Sequence, residues 1–402
     1  MKALLVGSGG REHALARRLS GSPSLSELHA APGNPGIAGC GASCHPVRAD
    51  DAEGLLELAR SLDIELVVIG PEAPLVAGVA DELRHAGIWV FGPGREAARI
   101  EGSKSFAKDV MRAAGVPTAA TLSVARPPCV VKVDGLAAGK GVFVCRTQGE
   151  LDEALPAAAA FGGPLVIEEL LEGDEISVFA LSDGHDALVL PAAKDFKRAY
   201  DGDEGPNTGG MGSYAPAGGI DLEAVRDQVH LPVIHELRRR GSPFVGVLFA
   251  GLMLTPAGPK VLEFNARFGD PETQSLLPLL EGDLVAALWA AAAGKLARAE
   301  LSLSAKAAVT VVLAAGCYPA AGDTGSPIEG VEAAEEAGAL VFHAGTARRG
   351  DRLVTNGGRI LNVTATGDTL DAARAQAYGA VNLISFEGMR YRTDIALEAS
   401  LV

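Results

Sequence analysis

No apolar run in the chain approaches the roughly 20 residues that a membrane-spanning helix requires. Met1 leads directly into the apolar segment 2–6, so neither a transmembrane helix nor a signal peptide is expected. Cysteine is also scarce. The five cysteines are odd in number and thinly spread, which excludes a disulfide framework. Cys40-Gly-Ala-Ser-Cys44-His45 is one residue too long for a haem-type C-x-x-C-H, and no second cysteine pair lies near it. Positive charge is the third shortage: 35 Lys and Arg against 50 Asp and Glu leave a net charge of −15. That balance argues against nonspecific binding of nucleic acid or of an anionic membrane. A reducing cytoplasm is the expected setting, with anionic small substrates drawn to a local positive site inside an acidic field.

The 402 residues, 48% of them hydrophobic, are enough for about three domains with proper cores. Over the first hundred residues, strand and helix patterns alternate. Strands are expected at 2–7, 65–69 and 88–91, and helices at 11–19, 51–62 and 79–86. This alternation predicts a parallel sheet with helices on both faces and ligands at the carboxyl ends of its strands. Glycine- or proline-rich turns stand at those ends: GSGGREH (7–13), APGNPG (31–36), GPEAPL (70–75) and GPGR (92–95). A dinucleotide fingerprint fails at its third glycine, where Glu12 stands. A helix start carrying Gly9, Gly10 and Arg11 still suits a phosphate, so a phosphorylated sugar is favoured over NAD, with a purely structural turn left open.

Two stretches carry the chemistry. In PCVVKVDGLAAGKGVFV (128–144), β-branched runs at 130–133 and 142–145 flank a loop holding Gly135, Gly139, Lys140 and Gly141. Glycines let the backbone approach an oxyanion and lysine supplies charge, so a triphosphate is the expected guest, with Lys132 as a second cation. The loop is not a Walker A motif. Its spacing is one residue short, Gly141 replaces the hydroxyl, and a strand follows rather than a helix. In VLEFNARFGDPETQ (261–274), Glu263 and Asn265 sit two apart on one strand face, the kind of hard-oxygen pair that suits Mg²⁺. Arg267 is placed to meet an anion, and Asp270 and Glu272 a cation; a merely solvated strand face is the bland alternative.

Between and around these lie further candidates. Ser103 is expected to cap a helix that opens at Lys104 and stops at Gly115 and Pro117. Lys104, Lys132, Lys140, Lys194 and Lys197 form a central group of ammoniums, suited to phosphate or to plain surface solvation. Glu168 to Glu175 spans a connector between strands that is able to offer backbone groups to an adenine edge, with Leu170 and Leu171 against the ring. The glycine-dense stretch GPNTGGMGSY (205–214) reads as a long functional loop. Helices are expected at 150–160, 221–240, 272–280, 283–294 and 368–384, with strands at 165–168, 176–181, 246–254 and 260–265. From about residue 301 a small α+β domain follows, with a turn at 322–325, a hairpin turn at Asn356-Gly-Gly358 and no clustered reactive groups.

Taken together, these motifs resemble the ATP-grasp ligases across almost the whole chain and in unbroken order. The resemblance is carried by GSGGREHALA (7–16), APGNPG (31–36), VIGPEAPLV (68–76), EGSK (101–104), VKVDGLAAGKGV (131–142) and IEELLEGDEIS (167–177). It continues through DFKR (195–198), GPNTGGMGSYAP (205–216), VLEFNARFGDPETQ (261–274) and GGRILNVTATGDTLDAARAQAY (357–378). It implies a multidomain α/β and α+β fold. The expected parts are a parallel N-terminal domain (1–101), an ATP-grasp core (102–298) with a hairpin-bearing lid at about 118–182, and a C-terminal α+β domain (299–402). Within the family, the motif set points to ATP- and Mg²⁺- (or Mn²⁺-) dependent joining of glycine to 5-phosphoribosylamine through glycyl phosphate, in purine synthesis.

By that resemblance Glu263 and Asn265 hold the metal, and Lys104, Lys132, Gly139, Lys140 and Gly141 the phosphates. Glu168, Glu169 and Leu171 line the adenine, and Glu175 meets the ribose. Arg267, Asp270 and Lys140 are the catalytic group, with Asp270 or Glu272 on the substrate ammonium. Asp195, Lys197, Asn207, Thr208, Gly209, Gly210 and Met211 close on the substrates. Gly9, Gly10, Arg11, Asn34 and Glu72 receive the sugar phosphate. One departure stands out: residues 122–129 replace a longer family segment, and Pro127-Pro128 bars a helix there, so a trimmed lid is expected. A monomer is expected, with a dimer left open. The rival readings are another ATP-grasp carboxylate–amine ligase or carboxylase, an NAD-dependent oxidoreductase, and a catalytically inert nucleotide-binding module.

Overall fold

The structure is a computed structural model describing residues 1–136 and 141–397. The strand Lys2–Gly7 forms because Ala3, Leu4, Leu5 and Val6 are apolar on both faces, and all four are fully buried. It is the centre of a parallel five-stranded sheet, flanked by Glu27–Pro32 and Ser43–Cys44 on one side and by Leu66–Ile69 and Trp89–Phe91 on the other. Helix Gly10–Ser20 follows the central strand at once, so its first turn stands at the carboxyl edge, where parallel sheets bind ligands.

An antiparallel four-stranded sheet makes the next layer, in the order Ala187–Val189, Asp174–Asp183, Val245–Thr255, Gly258–Asn265. A smaller sheet pairs Cys129–Val133 with Val142–Cys145 on one side and Leu165–Glu169 on the other, with helix Gln148–Ala159 packed on it. The chain enters this sheet through residues 121–128, which contain no helix. Between the two sheets, helix Lys104–Ala114 starts on Ser103, whose hydroxyl accepts the Phe106 N–H, and stops at Gly115 in the left-handed conformation. A third sheet runs Lys194–Asp195, Gly212–Ala215, Ala307–Ala314, Arg359–Gly367, Leu340–His343. It therefore joins segments from both sides of residue 299. Among the described residues no helix is long and apolar enough to cross a membrane.

Several local expectations are corrected. The helix expected over 221–240 forms without a break from Leu222 to Arg239, but Leu222–Val225 and Leu231–Arg239 are joined by a π-turn at Arg226–His230. Pro232 has no N–H to give the preceding turn, and the wider turn absorbs the gap. The helix expected over 272–280 is Glu272–Leu276 followed by the tight turn Leu277–Leu279 around Pro278. The stretch 205–214 is not a long loop. It belongs to strands Glu204–Asn207 and Gly212–Ala215, and the second takes its backbone partners from Ala307–Ala314, a pairing that its glycines hide. Residues 322–325 lie largely in strand Asp323–Pro327. Asn356-Gly-Gly358 links two different sheets. Strand Arg352–Gly357 instead turns back on Thr346–Arg349 at Gly350, whose φ of 58° is left-handed.

Candidate active site

One cluster of charged side chains is built where the small sheet meets the Glu-Phe-Asn strand. Lys132 projects from the middle of Cys129–Val133 and is buried. Its Nζ lies 2.7 Å from Glu168 Oε2 and donates to the Leu262 carbonyl at 2.9 Å, one residue before Glu263. The hairpin and the Glu-Phe-Asn strand, far apart in sequence, therefore touch. Lys108, which the sequence reading passed over, meets the other oxygen of Glu168 at 2.8 Å and the Thr118 hydroxyl at 2.9 Å. Glu168 thus serves two buried ammoniums. Glu169 accepts from the Ala120 N–H and from Lys260, both at 2.9 Å, and Leu171 is half-buried beside it. The Lys104 ammonium donates to Gly135 O at 3.0 Å. The Asp134 carboxylate takes the Lys104 N–H at 2.6 Å, supplying the anion that a helix start favours. Val133 N–H closes the hairpin on Gly141 O at 2.8 Å. Gly139 and Lys140 lie outside the described residues.

Glu263 and Asn265 share a strand face, opposite Gly251 and Phe249 respectively. Burial pushes the Glu263 carboxyl up, but Lys197, Lys132, Lys104 and Arg267 outweigh it and hold it below the usual carboxylate range. An ionised carboxylate beside an amide oxygen is a donor set that fits a hard divalent cation. Next to it, Lys197 is ion-paired to Glu175. Burial drives the Asp195 carboxyl up, Lys197 opposes, and Glu272, Glu175 and Glu263 add to the rise, leaving it at about 8. Glu272 is buried, accepts from the Ser177 hydroxyl at 3.3 Å and is likewise raised by burial.

A second network ties the N-terminal domain to the loop after the Glu-Phe-Asn strand. Glu12 folds back so that one oxygen accepts the Gly9 N–H at 2.5 Å while the other pairs with Arg11 at 2.8 Å. A Cβ on Gly70 would lie 2.2 Å from that carboxylate, so the glycine makes room for it. Arg11 also donates to Phe268 O at 3.1 Å and meets Glu72 at 3.3 Å. Glu72 meets Arg267 at 3.3 Å, and Arg267 meets Glu101 at 2.9 Å. Burial pushes Glu72 up, but the two arginines hold it at about 2. Asn34 accepts the Ile37 N–H at 2.9 Å and donates to Ser8 O and His343 O at 2.8 and 2.9 Å, a clasp to the C-terminal domain. A cavity of about 610 Å³ opens there, bounded by Gly9, Gly10, Arg11, Asp270, Asn356 and Arg359.

Three profiles of one family match the chain in order. They are the phosphoribosylglycinamide synthetase N domain over residues 1–101, its ATP-grasp (A) domain over 102–273 and its C domain over 308–398. The chain belongs to the phosphoribosylglycinamide synthetase family. A phosphoribosylamine–glycine ligase of Streptomyces coelicolor is 53% identical, with 100% of both chains covered. One from Caulobacter vibrioides is 49% identical over 98% of each. The crystal structure of the Thermotoga maritima phosphoribosylamine–glycine ligase superposes with a TM-score of 0.84 at 34% identity, covering 98% of this chain and 100% of that one. The biotin carboxylase domain of a Hydrogenobacter thermophilus 2-oxoglutarate carboxylase shares the fold, at 17% identity and a TM-score of 0.71, covering 99% of this chain and 97% of that one.

In this member of the phosphoribosylglycinamide synthetase family, the residues singled out from sequence fall into two groups of neighbours. Lys104, Lys132, Glu168, Glu175, Lys197, Asp195, Glu263 and Glu272 interact around the Glu-Phe-Asn strand, while Gly9, Gly10, Arg11, Asn34 and Asp270 line the 610 Å³ cavity. Asn207 pairs with Arg198 across a two-stranded ribbon. Thr208 caps its own turn, its hydroxyl accepting the Gly210 N–H at 3.0 Å and donating to Lys197 O at 2.9 Å. The Met211 side chain is fully buried and faces neither group of polar residues as a free surface. The C-terminal domain brings two side chains to this network. Arg359 meets Asp270 at 3.2 Å, and Tyr318 accepts the Gly209 N–H at 2.9 Å. Arg359 stands in the family-like stretch 357–378, but the resemblance implied no role for it. Lys108 stood one helical turn from Lys104 and was legible by spacing.

Proposed function

We propose that this protein uses ATP and a divalent metal to join glycine to 5-phosphoribosylamine, giving glycinamide ribonucleotide, ADP and phosphate, a step of purine synthesis. The observation that carries the reading is the contact between Lys132 and Leu262 O, which brings the glycine-tipped hairpin against the Glu263 strand in a chain whose full-length relatives bear that ligase's name. Glycine's carboxylate attacks the γ-phosphorus, ADP leaves, and glycyl phosphate forms. The sugar amine then attacks the glycyl carbonyl, phosphate departs, and the amine sheds a proton. Such chemistry asks mainly for alignment and charge neutralisation.

The residues divide that work. Lys132 and Lys104, with the Gly139–Lys140–Gly141 tip, grip the phosphates. Glu168, Glu169 and Leu171 line the adenine, with Glu175 near the ribose. Glu263 and Asn265 hold Mg²⁺, for which Mn²⁺ is a chemically similar substitute. A bound cation there would neutralise charge on the β- and γ-phosphates. Arg267, anchored by Glu72 and Glu101, presents a fixed charge to the acyl phosphate. Asp270 or Glu272 takes the glycine ammonium, and Asp195 with the 205–211 segment closes on the substrates. Gly9, Gly10 and Arg11 face the aminosugar, with Asn34 and Glu72 holding that wall together. The division into domains at 101/102 and 298/299, with a lid at about 118–182, a cytoplasmic setting and a monomeric state belong to the same reading. The test is ADP release by the purified protein. It should require both glycine and freshly made phosphoribosylamine; ADP formed without dependence on glycine would overturn the proposal.

A further inference from the structure

We infer that the C-terminal domain grips the 5-phosphate of the aminosugar, through the open edge of the Arg359 guanidinium with Asn356 beside it. The inference rests on the functional reading above and gives that site an arginine for which the resemblance implied no role.

Two arginines border the 610 Å³ cavity, and they differ in what remains free. Arg11 has Nε on Glu12, Nη1 on Phe268 O and Nη2 toward Glu72, so two carboxylates already match its charge. The Gly9 N–H is spent on Glu12, and both ends of the Asn34 amide are spent on backbone groups. The helix start that looked open in sequence is therefore partly closed by its own side chains. Arg359 is the reverse. Its Nη1 alone serves Gly209 O at 2.6 Å, Asp270 O at 2.9 Å and the Asp270 carboxylate at 3.2 Å. Its Nε and Nη2 donate to no group among the described residues. The Asn356 side chain, exposed on the same wall, has no described partner either.

The free edge is held in a fixed plane. The Gly209 turn is pinned from both sides by the C-terminal domain, its N–H on the Tyr318 hydroxyl and its carbonyl on Arg359. A Cβ on Gly209 would lie 3.2 Å from Arg359 Cζ and 3.3 Å from Nη2, so the guanidinium packs closely on a turn that glycine leaves bare. A planar fork with two free N–H donors is the geometry that takes two phosphate oxygens at once. Lysine would offer charge without the fork.

The experiment compares wild type with Arg359→Met, Arg359→Lys and Gly209→Ala. KM is measured for phosphoribosylamine, ATP and glycine, and calorimetry measures binding of ribose 5-phosphate against ribose. Wild type should bind ribose 5-phosphate and not ribose. Arg359→Met should raise the phosphoribosylamine KM by about 10- to 100-fold, as loss of charge-assisted hydrogen bonds does, and abolish ribose 5-phosphate binding. Its KM for ATP should stay within about threefold. Arg359→Lys should recover only part of the loss. Gly209→Ala keeps the charge and tilts the plane, so it should show the same selective rise even if Arg359→Met folds poorly. Unchanged phosphoribosylamine KM in the soluble variants, or an equal rise in all three KM values, overturns the assignment. Absence of ADP release in the wild type would overturn the functional reading instead, so the two failures are distinguishable.

Discussion

Replacing Glu168 with Gln should expose how the two buried ammoniums around it are held together. Its carboxylate is 3% exposed and lies 2.8 Å from Lys108 and 2.7 Å from Lys132, which are each 6% exposed. Burial pushes the Lys108 ammonium down, and Glu168 is the main group opposing it. With the carboxylate gone, two buried cations face each other without an anion, and breaking a buried pair in this way costs about 3–5 kcal/mol. At about 2–4 °C per kcal/mol for a domain of this size, the melting temperature should fall by about 6–20 °C. Scanning calorimetry of wild type, Glu168→Gln, Lys108→Met and the double variant measures it. The double variant should be more stable than the sum of the single losses, because removing Lys108 relieves the repulsion. If a triphosphate is a partner of Lys132, saturating MgATP should restore more stability to Glu168→Gln than it adds to wild type. A Glu168→Gln protein melting within about 2 °C of wild type, or strict additivity in the double variant, would refute the reasoning.

Other outcomes follow from the same geometry. Glu72 is held at about 2 against an ordinary 4.5, so its stabilisation is present above about pH 4.5 and is lost as pH falls toward 2. Acid titration of unfolding should show wild type losing up to about 3 kcal/mol more than Glu72→Gln over that window, the two curves converging near pH 2. Asp195 is raised to about 8 from 3.8, so its neutral form favours the fold and the penalty for ionising it grows as pH rises between those values. The melting temperature of Asp195→Asn relative to wild type should therefore climb from pH 4 to pH 8 and level off above; a flat difference would contradict this. Glu263→Ala should lower kcat/KM by on the order of 100-fold or more and shift the Mg²⁺ requirement upward.

What the sequence disclosed and what it concealed divide along the range of the interactions. Strand Lys2–Gly7, the hairpin of Cys129–Val133 with Val142–Cys145, and the Ser103 cap were legible because each is specified by residues within a few positions of one another. The face shared by Glu263 and Asn265 follows from strand periodicity alone. The partners of charged groups were not legible. Glu12 looked like a defect in a glycine fingerprint, whereas it fills the space that Gly70 leaves and caps Gly9. Glu168 read as an adenine neighbour, and its two ammonium partners come from a helix 60 residues earlier and an adjacent strand. Gly212–Ala215 became a strand only because Ala307–Ala314 offers it hydrogen bonds, a long-range pairing that overrides its glycine content. Arg359 reached the site by the same sheet, from a domain whose sequence showed nothing reactive.

The most direct test of the central claim follows the oxygen atoms of glycine. Glycine labelled with ¹⁸O in its carboxylate is turned over with ATP and phosphoribosylamine, and the inorganic phosphate is examined by ³¹P NMR or mass spectrometry. Activation at this site predicts phosphate carrying one ¹⁸O from each glycine consumed. Unlabelled phosphate, formed at the same rate as ADP, would contradict it.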